Sequence, residues 1–387
     1  MTPDDFLPEF RDRLVTIEGG WAHIPPPLPP GIELTWEMGR QLDRASAAVG
    51  HLVGQARIHN NTALFTRPLL FDEAGESSRI EGIQTRAADV LLQEAGGSAP
   101  AGFQTENNTE VLRYLDALEQ GAEWIADGRP LNLFLLRSLH RELLRHARGA
   151  DKSPGELRRK TVWIGEKDDT PLTAPYVPPP WEQVESAVDG LIAFVSTDQS
   201  LPPLIAAALI HYQFEAIHPF EDGNGRLGRL ILPLFLMEQG VLDRPVLVLS
   251  PYLERHRDRY IELLGRVSTA GAWAEWVAFF LEGARSQAES ATRLITRIDA
   301  LHASYRARVA AEVATRGAYP ALEFVMEKVV VSPRQVADFA KVSINTARTL
   351  LTQFQEIGLL EPAPGAKSQR WWAKDLVDQI YEREVLP

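Results

Sequence analysis

The 387-residue sequence contains no cysteine. That excludes a disulfide framework, a thiol nucleophile and thiolate metal ligands, and it is compatible with a reducing compartment. No apolar run approaches the roughly 20 residues that a membrane-spanning helix requires. The opening residues, Met1-Thr2-Pro3-Asp4-Asp5, lack the basic start and apolar stretch of a secretory signal, so a cytoplasmic protein without a membrane partner is expected. Positive charge is also short. Forty Lys and Arg against 52 Asp and Glu leave a formal charge of −12, which speaks against nucleic-acid or anionic-membrane binding by the chain as a whole. What remains is the composition of a soluble globular protein, 45% hydrophobic and 24% charged, long enough for two or three domains.

Against that background residues 218–229 stand out, reading His-Pro-Phe-Glu-Asp-Gly-Asn-Gly-Arg-Leu-Gly-Arg. An apolar stretch, Leu204 to Ile210, begins just after Pro202 and Pro203 and predicts a buried helix, which places His218 beyond the end of a rigid element. Gly223-Asn224-Gly225 allows positive φ and close backbone approach, so successive N–H groups can converge on an anion. A second helix is expected from about Asn224 to Gln239, with Leu227, Leu230, Ile231, Leu234, Phe235 and Met237 facing the core. The loop therefore ends at a helix N-terminus, whose unpaired N–H groups and dipole favour phosphate. Arg226 and Arg229, three apart on its first turns, could hold a polyphosphate with their guanidinium forks. Asp222 is a hard oxygen donor suited to magnesium shared with those phosphates. His218 is placed to take a proton from an incoming hydroxyl. A zinc site from His211, His218 and Asp222 is the competing reading, without the His-Glu-x-x-His spacing that would recommend it.

The run matches every fixed position of the Fic signature, H-x-F-x-[DE]-G-N-G-R-x-x-R, and the chain resembles that family. The resemblance implies a protein adenylyltransferase: a Ser, Thr or Tyr hydroxyl of a target protein attacks the α-phosphate of ATP and pyrophosphate leaves. It makes His218 the base and Asp222 the ligand of Mg2+. Gly223 to Gly225 become the anion cradle with Asn224 at the α-phosphate, Arg226 and Arg229 the β/γ-phosphate clamps, and Phe220 the anchor of the loop. Ser77-Ser78-Arg79-Ile80-Glu81-Gly82 fits [ST]-x-x-x-E-[GN] and resembles the inhibitory helix of many Fic proteins. By that resemblance Glu81 pairs with Arg229 and blocks the γ-phosphate site, with Ser77 and Gly82 framing the motif. Tyr252 and Tyr260 fall where the family's nucleotide pocket continues and are candidates to flank adenine, although aromatics at this spacing also serve as core.

The remainder of the chain predicts a mostly α architecture. Pro25 to Pro30 is extended, a helix follows over Trp36–Ile58, and a Gly/Ala/Pro loop is expected at 96–102. The segment 106–118 resembles Fic proteins with an N-terminal extension. Further helices are expected over 131–148, 255–265 and 273–296. A small β-hairpin is predicted from Lys160-Thr161-Val162-Trp163-Ile164-Gly165, a charged turn at 166–169, and 174–178. In the Fic fold such a flap pairs edge-on with the target segment. Beyond residue 316, Ser332 and Pro333 start a helix, a turn follows at Val342-Ser343, and a second helix at 344–351 precedes a strand-like Arg370-Trp371-Trp372. This pattern resembles a winged helix-turn-helix. Arg334, Arg348, Lys367 and Arg370 could meet phosphate, but Asp338, Glu356 and Glu361 nearly offset them, so protein interaction or homodimer support is preferred over DNA. The expected division is 1–105, an N-terminal extension with the inhibitory motif; 106–300, the Fic core; and 318–387, the winged-helix-like domain. Three readings stay open: adenylyl transfer restrained by Glu81, with reversal by a Glu81-positioned water as a further activity; transfer of another group such as UMP, phosphate or phosphocholine; and a DNA-binding regulator with a Fic sensor core.

Overall fold

The computed structural model describes residues 1–58, 62–95, 105–166, 168–197, 201–363 and 369–381. The loop expected at 96–102 and Lys367 lie outside the described residues, as does Lys167 of the charged turn. The fold is mostly helical. It opens with two short 3-10 turns and an antiparallel ribbon, β1 (Leu14–Ile17) and β2 (Gly20–His23), that the sequence reading did not anticipate. Glu18 and Gly19 form its two-residue loop, and Gly19 takes a positive φ of 80° that favours glycine.

Helix α1 (Trp36–Ile58) lies along α11 (Trp273–Glu312). Between them in sequence come α2 (Ala63–Ile80), α3 (Ala87–Glu94), α4 (Thr105–Ala126), α5 (Leu133–Leu143), α6 (Val184–Ser196), α7 (Pro203–Ile217), α8 (Asn224–Glu238), α9 (Ser250–Arg255) and α10 (Arg257–Ala270). Helix α7 is buried on all sides from Leu204 to Ile217, which is why its sequence is apolar without an exposed stripe. It packs on α8, while α8 packs on α4 and α4 on α2.

Several expected boundaries move. The helix predicted to reach Arg148 ends at Leu143, and His146 and Gly149 then take positive φ. A Cβ on Gly149 would lie 2.8 Å from the Asp222 carboxylate, so the chain turns there against the signature loop. The helix predicted over 255–265 is α10, shifted toward Ala270 and preceded by the unforeseen α9. Helix α11 passes the expected end at 296, and position 300, without a break; its stretch to Glu312 is rich in good helix formers and free of Gly and Pro after Gly283.

The predicted hairpin at 160–178 is reduced to one antiparallel bridge, Ile164 with Tyr176, held by Ile164 N–H donating to Tyr176 O at 2.9 Å and a return bond of 3.4 Å. Pro175 and Pro178 have no N–H to extend the ladder. The segment gains support from the N-terminal ribbon instead, through His23 N–H donating to Val177 O at 2.9 Å.

Toward the C-terminus follow α12 (Ala318–Lys328), β3 (Val330–Val331), α13 (Pro333–Ala340), α14 (Ile344–Glu356), β4 (Glu361–Pro362), β5 (Trp371–Trp372) and α15 (Lys374–Tyr381). The three strands pair in the order β3-β5-β4. Ser332 and Gln335 form a capping box at α13, and Ser343 caps α14 by accepting from Thr346 N–H at 3.1 Å. Among the described residues no helix is long and apolar enough to cross a membrane.

Candidate active site

His218 caps the C-terminus of α7 in the left-handed conformation, φ 50°. Its carbonyl accepts from Arg158 Nε at 2.8 Å, and Arg158 also donates to Pro179 O at 2.6 Å and Lys160 O at 3.1 Å. One buried guanidinium thus fixes both the histidine backbone and the base of the 160–178 segment. Burial first, and Arg158 second, lower the imidazole to about 4, against opposing pulls from Glu81 and Asp222. At neutral pH the ring is uncharged and able to accept a proton.

The loop after His218 is braced from below. Phe220 is buried and stacks on His140 with centroids 3.9 Å apart and planes at 12°. His140 Nδ1 accepts from Gly155 N–H at 2.8 Å, which leaves the proton on Nε2 to donate to Asp222 O at 2.9 Å. Asn224 is buried, and its carboxamide bonds Phe220 in both directions, accepting from its N–H and donating to its carbonyl, each at 2.9 Å. Its side chain therefore shapes the loop, leaving backbone as the means of meeting an anion. Gly223, φ 76°, turns the chain into α8, whose first-turn N–H groups have no carbonyl a turn earlier. Asp222 is part exposed, accepts from Gly223 N–H at 2.6 Å and faces Arg226 at 3.4 Å.

The two arginines point to different partners. Arg226 is fully buried and donates to Glu110 of α4 at 2.6 Å. Arg229 donates through Nε to Ser77 Oγ and through Nη2 to Ser77 O, both at 2.9 Å, and to Glu81 Oε1 at 2.7 Å. Glu81 caps the C-terminus of α2 and Gly82 follows with φ 80°. Burial pushes the Glu81 carboxyl up, but Arg229, with Arg226 and His218 behind it, holds the net value below the usual carboxylate range. Position 225 has no side chain, and a Cβ there would lie 2.2 Å from Glu81 Oε1. Helix α2 is itself pinned by Glu73, which accepts from Tyr114 Oη and Ser250 N–H at 2.9 Å.

A cavity of about 250 Å³ opens at this point, with Glu81, His218, Gly225 and Arg229 on its wall. Ile164 reaches it, whereas Thr161, Val162 and Trp163 do not line it. Tyr260 also lines it, but its hydroxyl is bonded to His211 Nε2 at 2.8 Å; Tyr252 packs against His256 and Phe279 away from the lining residues. His211 lies in the core against Gly228 O as well, which occupies the nitrogens that a zinc site would need. No sequence pattern singles out His140, Arg158 or Glu215, and Glu110 falls unremarked within the segment 106–118. His140, Arg158 and Glu110 are single polar residues whose partners are distant in sequence, and nothing local signals those contacts; Glu215 lies at the end of the apolar run of α7.

Comparison with known proteins gives two family matches: Fic/DOC family N-terminal over residues 39–123 and Fic/DOC family over 130–236. The Protein adenylyltransferase fic-1 of Caenorhabditis elegans is 36% identical over 165 residues, 41% of this chain and 28% of that protein. The Protein adenylyltransferase Fic of Nematostella vectensis is 29% identical over 204 residues, 51% of this chain and 43% of that protein. The chain thus spans less than half the length of the curated relatives it matches. Among solved structures, a Fic family protein from Desulfovibrio desulfuricans aligns with TM-score 0.56 and 20% identity over 89% of this chain and 98% of that one. Fic-1 of C. elegans aligns with TM-score 0.54 and 20% identity over 69% and 75%. These two share the fold. Signature, fold and family matches agree, and residues 39–123 and 130–236 are those of the Fic/DOC family.

Proposed function

We propose that the protein is a protein adenylyltransferase that moves AMP from ATP to a Ser, Thr or Tyr hydroxyl of a protein, and that Glu81 restrains it. The observation that carries this reading is the convergence of His218, Gly225 and Arg229 on one cavity, with Glu81 on the guanidinium. The names of the curated relatives support the same chemistry.

In the proposed reaction the acceptor hydroxyl gives its proton to the uncharged His218 as its oxygen bonds to the α-phosphorus. The bond from that phosphorus to the α–β bridging oxygen breaks and pyrophosphate leaves. The first-turn N–H groups of α8 and Arg229 stabilise the charge that shifts onto the departing phosphates. Glu81 holds the guanidinium where the γ-phosphate would lie, so withdrawal of the last turn of α2 is needed before a triphosphate seats in line. Ile164, the bridged residue of the 160–178 segment, stands at the same cavity and would present the acceptor backbone by strand pairing.

Asp222 fits a magnesium ion. Its carboxylate is part exposed beside the loop, and one protein carboxylate with phosphate oxygens and water is the usual setting of that ion. Magnesium bound there would neutralise phosphate charge. Residues 318–387 are proposed as a winged-helix-like module for protein contact, because α13 and α14 are capped, tightly joined helices without a net basic face.

Incubating the protein with each of four nucleoside triphosphates and magnesium, then weighing it by mass spectrometry, tests the reading. A gain of one AMP from ATP is expected in the Glu81→Gly variant. Gain of UMP or of phosphate alone would replace adenylyl transfer with transfer of that group, and no gain in either wild type or variant would reject self-modification.

A further inference from the structure

Glu215 has no role in the reaction described above. It sits on the last turn of α7, three residues before His218, and is 8% exposed. Its Oε1 has no hydrogen-bond partner among the described residues, yet the side chain lines the cavity that holds His218 and Arg229. A Cβ on Gly228 would lie 2.4 Å from that oxygen, so α8 comes this close to the carboxyl because position 228 has no side chain. The charged and titratable groups around it come from four elements. Arg229 of α8 and Glu81 at the end of α2 act on it electrostatically, and Tyr260 of α10 responds to its charge. His211 of α7 is bonded to Tyr260, and His218 and Arg257 face the same cavity. One guanidinium therefore confronts two carboxyl groups, and Glu81 holds the hydrogen bond.

Resting on the nucleotide-transfer reading, we propose that Glu215 is a positioning residue that admits a phosphate chain to Arg229 only while its own carboxyl is protonated, so that nucleotide binding takes up a proton. With Glu81 in place, one carboxylate already balances Arg229, and a second would be an uncompensated charge in a dry site. Burial first, then Glu81, raise the Glu215 carboxyl to about 7, against the pull of Arg229. A γ-phosphate replacing Glu81 brings more negative charge to the same guanidinium and favours the protonated form further. The added proton comes from solvent, and the carboxylic O–H then has a phosphate oxygen to which it donates.

The test uses the full chain carrying Glu81→Gly, with Glu215 or Glu215→Gln, titrated with magnesium-ATP by calorimetry. Two buffers of different ionisation enthalpy at pH 7 report the protons taken up, and a series from pH 6 to pH 8 reports Kd. Proton uptake is expected with Glu215 and absent with the amide, whose Kd tracks only the titration of ATP itself. The parent Kd should weaken with rising pH by up to about tenfold per unit relative to the amide. AMP, which lacks the β- and γ-phosphates, should bind without the uptake. Equal uptake by the two proteins, or the same uptake with AMP, would overturn the proposal. Should Glu215→Gln not fold, binding by the parent without proton uptake overturns it equally. Absence of ATP binding at every pH would instead remove the nucleotide reading on which it rests.

Discussion

Two arginine–glutamate pairs lie side by side on the first turns of α8, and burial separates them. Arg226 and Glu110 meet at 2.6 Å with side chains 1% and 2% exposed, whereas Arg229 and Glu81 meet at 2.7 Å with 2% and 33%. Glu110 lies within α4, with helix on both sides of it. Glu81 is the terminal cap of α2, followed by a glycine in the left-handed region. Removing Glu110 from Arg226 requires moving a 22-residue helix; removing Glu81 from Arg229 requires only that one terminal turn fray. Under the restraint proposed for Glu81, the same kind of ion pair is a fixed strut in one place and a latch in the other, and position within the helix distinguishes them.

The largest expected effect touches neither arginine. His218→Ala should lower transfer by about 10²–10⁴-fold while ATP binding in the Glu81→Gly background stays close to its parent, because the imidazole acts on the hydroxyl. Self-modification at the parent rate would sink that role. Breaking the strut comes next. Glu110→Ala strands a buried guanidinium whose remaining carboxylate, Asp222, is 3.4 Å away, and should cost about 3–5 kcal/mol of unfolding free energy. A denaturant titration showing less than about 1 kcal/mol would erase the distinction between the pairs. Breaking the latch should do the opposite. Glu81→Gly is expected to raise transfer about tenfold or more, a change of about 1.4 kcal/mol, with a melting temperature near that of wild type. Adding Arg229→Ala should abolish the gain; a double variant as active as the single one would show that Arg229 is not what Glu81 restrains.

What could be read in the sequence is what is contiguous. The signature at 218–229 and the pattern at 77–82 name their residues within a dozen positions, and α7 announces itself by an unbroken apolar run after Pro202 and Pro203. The contact of Glu81 with Arg229 was nameable through family resemblance; nothing in the spacing of residues 148 apart indicates it. Glu110 lies 116 residues from Arg226 and resembles any acid on an amphipathic helix. Arg158 looks like one of a surface run, Arg158-Arg159-Lys160, until the fold buries it under His218 and Pro179. The flap shows the converse limit, since β-branched and aromatic residues at 161–164 predict a hairpin of which the structure keeps one antiparallel bridge, Pro175 and Pro178 having no N–H to extend it.

The smallest expected effect separates the pairs by pH. The Glu81 carboxyl lies below its ordinary value because Arg229 and its neighbours outweigh burial, whereas burial raises the Glu110 carboxyl in spite of Arg226. A lowered folded value means that Glu81 contributes stability above the unfolded carboxylate range, and that this is lost as pH falls through the folded value. A raised folded value has the opposite sign: the contribution of Glu110 is fully present below the unfolded value and is lost as pH rises through the folded one. Melting temperatures of wild type, Glu81→Gln and Glu110→Gln, measured from pH 6.5 down to pH 3.5, should therefore diverge in slope. The advantage of wild type over Glu81→Gln should shrink with acid. The wild type should gain on Glu110→Gln over the same interval, because neutralisation relieves the cost of a buried charge while the amide has none to relieve. Parallel curves for the two variants would mean that the two glutamates share one electrostatic environment, and the contrast between strut and latch would then rest on helix position alone.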